Sequence, residues 1–172
     1  AIIVVVDDNS PDGTGRIADQ LASSTPPLRI IHRKAKNGIG PAYIAGFANV
    51  LGTDADLIVA LDADGSHSAA DLITLLASVD DADLVIGSRY VNGGDAVGWP
   101  FHRKILSRFG GLYARTVLGV PISDLTSGFK VYRRETLANL PFEHIKSDGY
   151  GFQIETTWLA IQAGARVLEV PI

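Results

Sequence analysis

Five consecutive aliphatic residues, Ile2-Ile3-Val4-Val5-Val6, run straight into Asp7-Asp8-Asn9-Ser10, and the same abrupt change recurs along the chain. Leu57-Ile58-Val59-Ala60-Leu61 breaks into Asp62-Ala63-Asp64, and Asp83-Leu84-Val85-Ile86-Gly87 breaks into Ser88-Arg89. Short β-branched runs with no polar alternation read as strands buried on both faces. Between them lie stretches of helical period at 14–23, 40–51 and 69–79, with a further strand at 28–32. This strand and helix alternation predicts an α/β fold with a mostly parallel central sheet flanked by helices. In open sheets of this kind ligands bind beyond the carboxyl ends of the strands, which is where the polar clusters fall.

After Arg89 the rhythm changes. A Gly-rich loop, Asn92-Gly93-Gly94-Asp95, precedes an amphipathic helix at 101–118, an irregular stretch at 121–130, a helix at 151–163 and a last strand within Arg166–Ile172. No second hydrophobic core is legible there, and 172 residues match one domain of ordinary size, about 150 residues. No apolar run reaches the roughly 18 residues that a membrane-spanning helix needs. A formal net charge of −4 supplies no basic field for nucleic acid, which is not expected as a partner. The chain has no cysteine, which removes disulfides, thiolate metal sites and a thiol nucleophile together, so any metal must sit on oxygen or imidazole ligands. With no methionine in it, the chain opens inside a strand pattern and is expected to be a fragment of a longer protein.

Two carboxylates one residue apart, Asp62 and Asp64, leave a buried strand and can face a common point, supplying hard oxygen ligands to Mg²⁺ or Mn²⁺ with a diphosphate completing the shell. The same residues also read as a strand end followed by an Asp-Gly turn. In the first polar cluster, Asp12 or Thr14 can cap the next helix and Gly13 can turn the chain. Capping leaves Asp7 and Asp8 unexplained, and adjacent acids at a strand end suit a base edge or ribose hydroxyls. Neither GxGxxG nor GxxxxGK[ST] is present, and His32, His67, His102 and His144 lack HExxH spacing.

Taken in order, VVVDDNSPDGT, KNGIGPAYIAGF, ALDADGSH, IGSRYVNGG, WPFHRK and TSGFKVYRRE resemble the polyprenol (dolichol) monophosphate mannose synthases of the family 2 glycosyltransferases. The resemblance spans nearly the whole chain. The Asp-x-Asp is common to the wider family, whereas GSRY-x-x-GG with WP-x-x-RK narrows it to this subgroup. It implies a single Rossmann-like GT-A catalytic domain over residues 1–172, without the family's opening strand and the basic segment after its last strand. It further implies GDP-mannose as donor, a polyprenyl phosphate acceptor, a divalent cation and inversion at the anomeric carbon. By the same resemblance Asp8 contacts the nucleoside, with Val6 beside the base and Asp7 supporting the turn. Asp62 and Asp64 hold the metal, with Ser66, at a position that often carries Gln, reaching it through a water. Arg89 and Arg103 match binders of diphosphate and acceptor phosphate, and Lys104 adjoins the latter.

A phosphate monoester acceptor is largely dianionic at pH 7 and needs no general base. Asp64, Arg89 and Arg103 are therefore the expected catalytic groups, acting by alignment and charge neutralisation. Asp124, Asp148 and Glu155 are the acids available to a hydroxyl acceptor, and otherwise read as turn and helix-terminus residues. On the helix at 101–118, Ile105, Phe109 and Leu112 share one side and Lys104, Arg108 and Arg115 another, which fits either a solvated face or a basic surface beside anionic lipid. The expected setting is the cytoplasm, peripheral at the cytoplasmic face of the membrane, with a fused or partner membrane domain left open. Three alternatives remain: a UDP-glucose or UDP-N-acetylglucosamine transferase, a non-catalytic nucleotide-sugar-binding module, and a haloacid-dehalogenase-like phosphatase, whose nucleophile loop ALDADGSH resembles.

Overall fold

A computed structural model describes residues 1–95 and 101–172, with side chains other than those of 101–107. In chain order the elements are β1 (Ile3–Asp7), α1 (Thr14–Ser24), β2 (Leu28–His32), α2 (Ile39–Leu51), β3 (Leu57–Ala60), α3 (Ala69–Ala77) and β4 (Leu84–Ser88). They continue with α4 (Phe101–Leu118), β5 (Lys130–Arg133), α5 (Arg134–Ala138), a 3₁₀ turn (Phe142–His144), α6 (Tyr150–Gln162) and β6 (Val167–Pro171). This is the predicted α/β alternation of mostly parallel strands and flanking helices. The strands pair in two sheets instead of one: β1 runs parallel to β2, and β3-β5-β4-β6 form a second set in which only β5 runs against its neighbours. Strand β5 lies where an irregular stretch was expected to end.

The chain divides into two compact units, Ala1–Ala55 with Phe142–Phe152, and Asp56–Pro141 with Gln153–Ile172. In the first, α2 lies against β1 and carries an aromatic cluster, with Tyr43 and Phe47 rings 5.7 Å apart, Tyr43 5.5 Å from Phe152, and Phe47 5.7 Å from Phe142. These rings seat the segment 142–152 on α2 by apolar burial and tilted ring contacts. The segment also brings Asp148 to the N-terminus of α2. That helix begins at Gly38 with no side-chain cap of its own, and the Asp148 carboxylate accepts the Gly40 N–H at 2.9 Å. A carboxylate is favoured at the positive end of the helix dipole. Hydrogen bonds from the Gly40, Gly149 and Ile39 amides hold the Asp148 pKa below the usual carboxylate value. Gly38 has φ 95° and a Cβ there would collide with the Asp148 carboxylate, so only glycine fits.

In the second unit β4 is buried at every residue, between β5 and β6. Its core joins Leu75 of α3 to Val85, Phe129, Val131 and Val170, with Leu57, Val59, Leu72 and Leu168 packed around them. Ser68 caps α3, accepting the Asp71 N–H at 3.0 Å while donating to the Asp71 carboxylate at 2.6 Å. Lys130 on β5 is fully buried, and its Nζ donates to Gln153 O and Gln153 Oε1, each at 2.9 Å, and to Thr156 Oγ1 at 3.4 Å. Three acceptors match the three N–H bonds of an ammonium. Burial pushes the Lys130 pKa down to about 7, and the charge of Asp124 pulls it back up.

Candidate active site

At the end of β1 the two acids part. Asp7 is buried, accepts the Ser10 N–H at 3.3 Å across the turn and lies 3.5 Å from His32 Nδ1. Hydrogen bonding from the Ser10 side chain is the main cause that lowers its pKa, with smaller contributions from the Ser10 amide and His32 against the cost of burial. His32 is in turn bonded to Asp19 at 2.8 Å, which raises the imidazole pKa. Asp8 instead pairs with the Arg33 guanidinium, which also reaches the Gly38 carbonyl at 3.4 Å. Val6 is half-buried beside them. Asp12 closes the turn before α1, accepting the Thr14 N–H at 3.0 Å and its hydroxyl at 2.6 Å, while the N-cap position itself is Gly13, with no side-chain cap.

In the second unit, the chain leaves β3 through Asp62, half-buried, and Asp64, exposed. His67 organises this turn: its Nδ1 accepts the Asp62 N–H at 2.9 Å, and its ring stacks on Phe129 with centroids 4.5 Å apart and planes inclined by 16°. An accepting Nδ1 places the proton of the neutral ring on Nε2. Burial lowers the His67 pKa, opposed by the charges of Asp62 and Asp64 and aided by that of Arg89. Asp64 accepts the Ser66 N–H at 2.9 Å, and hydrogen bonding from the Ser66 side chain is the first cause of its lowered pKa. Asp62 and Asp64 form a donor set of hard carboxylate oxygens with no soft atom beside it. No third His, Cys, Asp or Glu completes a metal group among the described residues. This set fits a cation that keeps several waters and takes its remaining ligands from phosphate.

Arg89 sits at the end of β4. Its Nε donates to Asp124 Oδ2 at 2.7 Å, and one terminal nitrogen to Asp124 Oδ1 at 2.8 Å and Thr126 Oγ1 at 3.1 Å. The Arg89 amide adds a further bond to Asp124 Oδ2 at 3.1 Å. The guanidinium also stands 5.6 Å from the centre of the Tyr90 ring, and Arg108 of α4 5.8 Å from it, both within cation–π range. The loop after Tyr90 folds back so closely that a Cβ on Gly94 would strike the Ser88 carbonyl, while Gly93 beside it has φ 95°, a conformation that favours glycine. Asp124 is in turn fixed by Glu169 of β6, whose two carboxylate oxygens accept the Ser123 and Asp124 amides at 2.7 and 2.8 Å.

The structure thus brings Asp62, Asp64, Ser66 and His67 into one turn, with Arg89 close enough for its charge to act on His67. Val6, Asp7 and Asp8 belong to the other unit. Arg103 and Lys104 fall at the start of α4, and their side chains lie outside the described residues, as do Trp99 and Pro100. Glu155 is half-buried on α6. Sequence reasoning missed Arg33 as the partner of Asp8, Asp148 as a cap for α2, and Glu169 as the anchor of Asp124. The first is separated from its partner by 25 residues, the second by 108 and the third by 45, and no local pattern reports such pairings.

Residues 2–140 match the model of glycosyl transferase family 2, and the chain belongs to that family. It is 48% identical over 170 residues to the undecaprenyl-phosphate mannosyltransferase of Micrococcus luteus, covering 99% of this chain and 70% of that one. It is 49% identical over 172 residues to the polyprenol monophosphomannose synthase of Mycolicibacterium smegmatis, covering 99% and 65%. The chain therefore spans about two thirds of the length of these relatives. Glucosyl-3-phosphoglycerate synthase from Mycobacterium tuberculosis, solved in complex with Mn²⁺, UDP-glucose and phosphoglyceric acid, superposes with a TM-score of 0.65 at 21% identity, over 98% of this chain and 57% of that one. At that identity the match establishes a shared fold, that of the GT-A glycosyltransferases.

Proposed function

We propose that the chain is the catalytic part of an enzyme that transfers mannose from GDP-mannose to a polyprenyl phosphate, with inversion at the anomeric carbon. The observation that carries this reading is the identity of nearly half of all residues, over 99% of the chain, to two proteins, one named an undecaprenyl-phosphate mannosyltransferase and the other a polyprenol monophosphomannose synthase. The site chemistry agrees. A phosphate dianion attacks without a base, and Asp124, one of the three acids a hydroxyl acceptor could call on, is occupied in binding Arg89.

The roles are those the family resemblance implies, and the local geometry of Asp62, Asp64 and Arg89 is compatible with theirs. Asp8 and Val6 border the nucleoside, and Asp7 holds their turn. Asp62 and Asp64 would hold Mg²⁺ or Mn²⁺, with Ser66 reaching it through a water. Bound there, the cation supplies charge neutralisation to the departing nucleoside diphosphate. Arg89 bridges toward the diphosphate, while Arg103 and Lys104 receive the acceptor phosphate. Asp64, Arg89 and Arg103 are the groups that lower the barrier, by stabilising charge as it develops.

The acceptor is a lipid, and α4 offers a surface for it. Phe109, Leu112, Tyr113 and Val117 recur at helical spacing and are 67, 57, 73 and 63% exposed, with exposed Arg108 and Arg115 beside them. No helix of the described residues is long and apolar enough to cross a membrane, so this stripe fits peripheral contact with an anionic leaflet, as on the cytoplasmic face. In vesicle flotation with anionic lipid, Phe109→Ser with Leu112→Ser is expected to weaken binding at least tenfold, and Arg108→Gln about fivefold, a positive charge near such a surface being worth about 1 kcal/mol. Equal flotation of all three proteins would remove α4 from the interface.

The donor is tested by thermal unfolding with GDP-mannose, UDP-glucose or neither, with and without Mn²⁺. Ligand at 100 times its dissociation constant adds about 2.7 kcal/mol. A metal-dependent rise with GDP-mannose alone is expected. A rise with UDP-glucose alone would replace the donor and with it the mannose assignment.

A further inference from the structure

Arg89 is firmly built into the second unit, and what builds it in is the buried carboxylate of Asp124. Asp124 is fully buried at its side chain while Arg89 keeps 17% of its own exposed. Both oxygens of Asp124 are taken by Arg89: the side chain grips Nε and a terminal nitrogen in a fork, and the same Oδ2 receives the Arg89 amide. A bidentate fork fixes the plane of a guanidinium as well as its position. Thr126 adds a third acceptor and itself donates to Asp124 Oδ1 at 3.0 Å, and the Tyr90 ring lies against the guanidinium face. Asp124 is itself held, through its backbone, by the Glu169 carboxylate from β6. The chain of support therefore runs from a sheet strand, through a buried loop, to the cation at the site.

We propose that Asp124 is a positioning residue for transfer, acting through Arg89 by fixing its guanidinium in the orientation that meets phosphate charge, with Thr126 and Glu169 as supports. The inference rests on the reading that Arg89 serves the diphosphate. A geometry held by packing and hydrogen bonds is what electrostatic stabilisation requires, because a mobile cation must be reorganised at the moment of reaction. With its side chain buried and both oxygens engaged by Arg89, Asp124 acts on transfer through Arg89 in this reading, so its effect on the rate should vanish when Arg89 is absent. That property separates it from a residue that merely supports the fold.

The test is a double-mutant cycle in the full-length enzyme with chemical rescue. Arg89→Ala is expected to lower kcat about 10²- to 10³-fold. Asp124→Asn should lower kcat at least tenfold with donor KM little changed, and Arg89→Ala/Asp124→Asn should be no slower than Arg89→Ala. Guanidinium ion at tens of millimolar should restore part of the rate to Arg89→Ala, binding in the vacated fork, and should restore nothing to the double variant. Thr126→Val, a milder change, should slow the Arg89 enzyme several-fold and leave Arg89→Ala unaffected, which keeps the test open should Asp124→Asn fold poorly. Additive losses in the cycle, or equal rescue with and without Asp124, would overturn the inference. Arg89→Ala at the parental rate would instead overturn the reading of Arg89 on which it rests.

Discussion

Asp64→Ala is expected to abolish measurable mannose transfer while leaving the unfolding temperature without ligand unchanged. The two halves of this expectation have separate causes. Asp64 is exposed and its bonding is local, to Ser66 two residues on, so its removal takes nothing from the core, and surface changes of this kind cost about 0.5 kcal/mol or less. In the proposed metal site, however, its carboxylate is one of two, and a cation held by two protein carboxylates has little to spare when one is lost. Losing a charge-stabilising contact at a reacting centre costs about 10²–10³ in rate, and losing the cation itself costs more. Asp64→Asn separates charge from geometry: its amide oxygen keeps an acceptor for the Ser66 N–H, so the turn persists, yet transfer and the metal-dependent stabilisation by donor should both disappear. Undiminished transfer in either variant would remove Asp64 from the metal site.

The parts of this molecule legible in sequence are those written in short-range pattern. The helices expected at 14–23, 40–51 and 101–118 are found at Thr14–Ser24, Ile39–Leu51 and Phe101–Leu118, because apolar period and turn residues are local signals. The Asp62-Ala63-Asp64 turn was legible because a polar cluster breaks a buried run. Strand β5 was not. Its four residues, Lys130 to Arg133, carry a cation at each end, and a lysine argues for exposure. The strand is nevertheless buried between β3 and β4 because Gln153 and Thr156, more than twenty residues later, satisfy the ammonium. The division of the strands into two sheets was hidden for a similar reason: strand order is a matter of long-range pairing, on which periodicity is silent. The apolar stripe of α4 shows the converse limit, since Phe109 and Leu112 share a helix face in any reading, and only the fold shows that this face is exposed.

Phe129→Ala is expected to give a large loss of stability, about 3–5 kcal/mol by chemical denaturation, the range for deleting a fully buried phenylalanine. Against a total of about 5–15 kcal/mol for a domain, that leaves the second unit marginal. Phe129 is 0% exposed within the core that joins α3 to the four-stranded sheet, its carbonyl accepts the Gly87 N–H at 2.9 Å, and its ring carries His67. The last contact makes the residue more than filling. His67 holds the Asp62 amide, so the ring beneath it links the core to the turn that bears the two carboxylates proposed to hold the cation. Phe129→Leu tests this separately, because it keeps a large apolar side chain in the core and so costs less than the alanine change, while removing the stacking surface. Transfer by the folded variant should then fall several-fold, with the metal-dependent stabilisation by donor weakened in parallel. If Phe129→Leu retains full activity, the stack beneath His67 serves packing alone, and the turn at Asp62 draws its order from its own backbone.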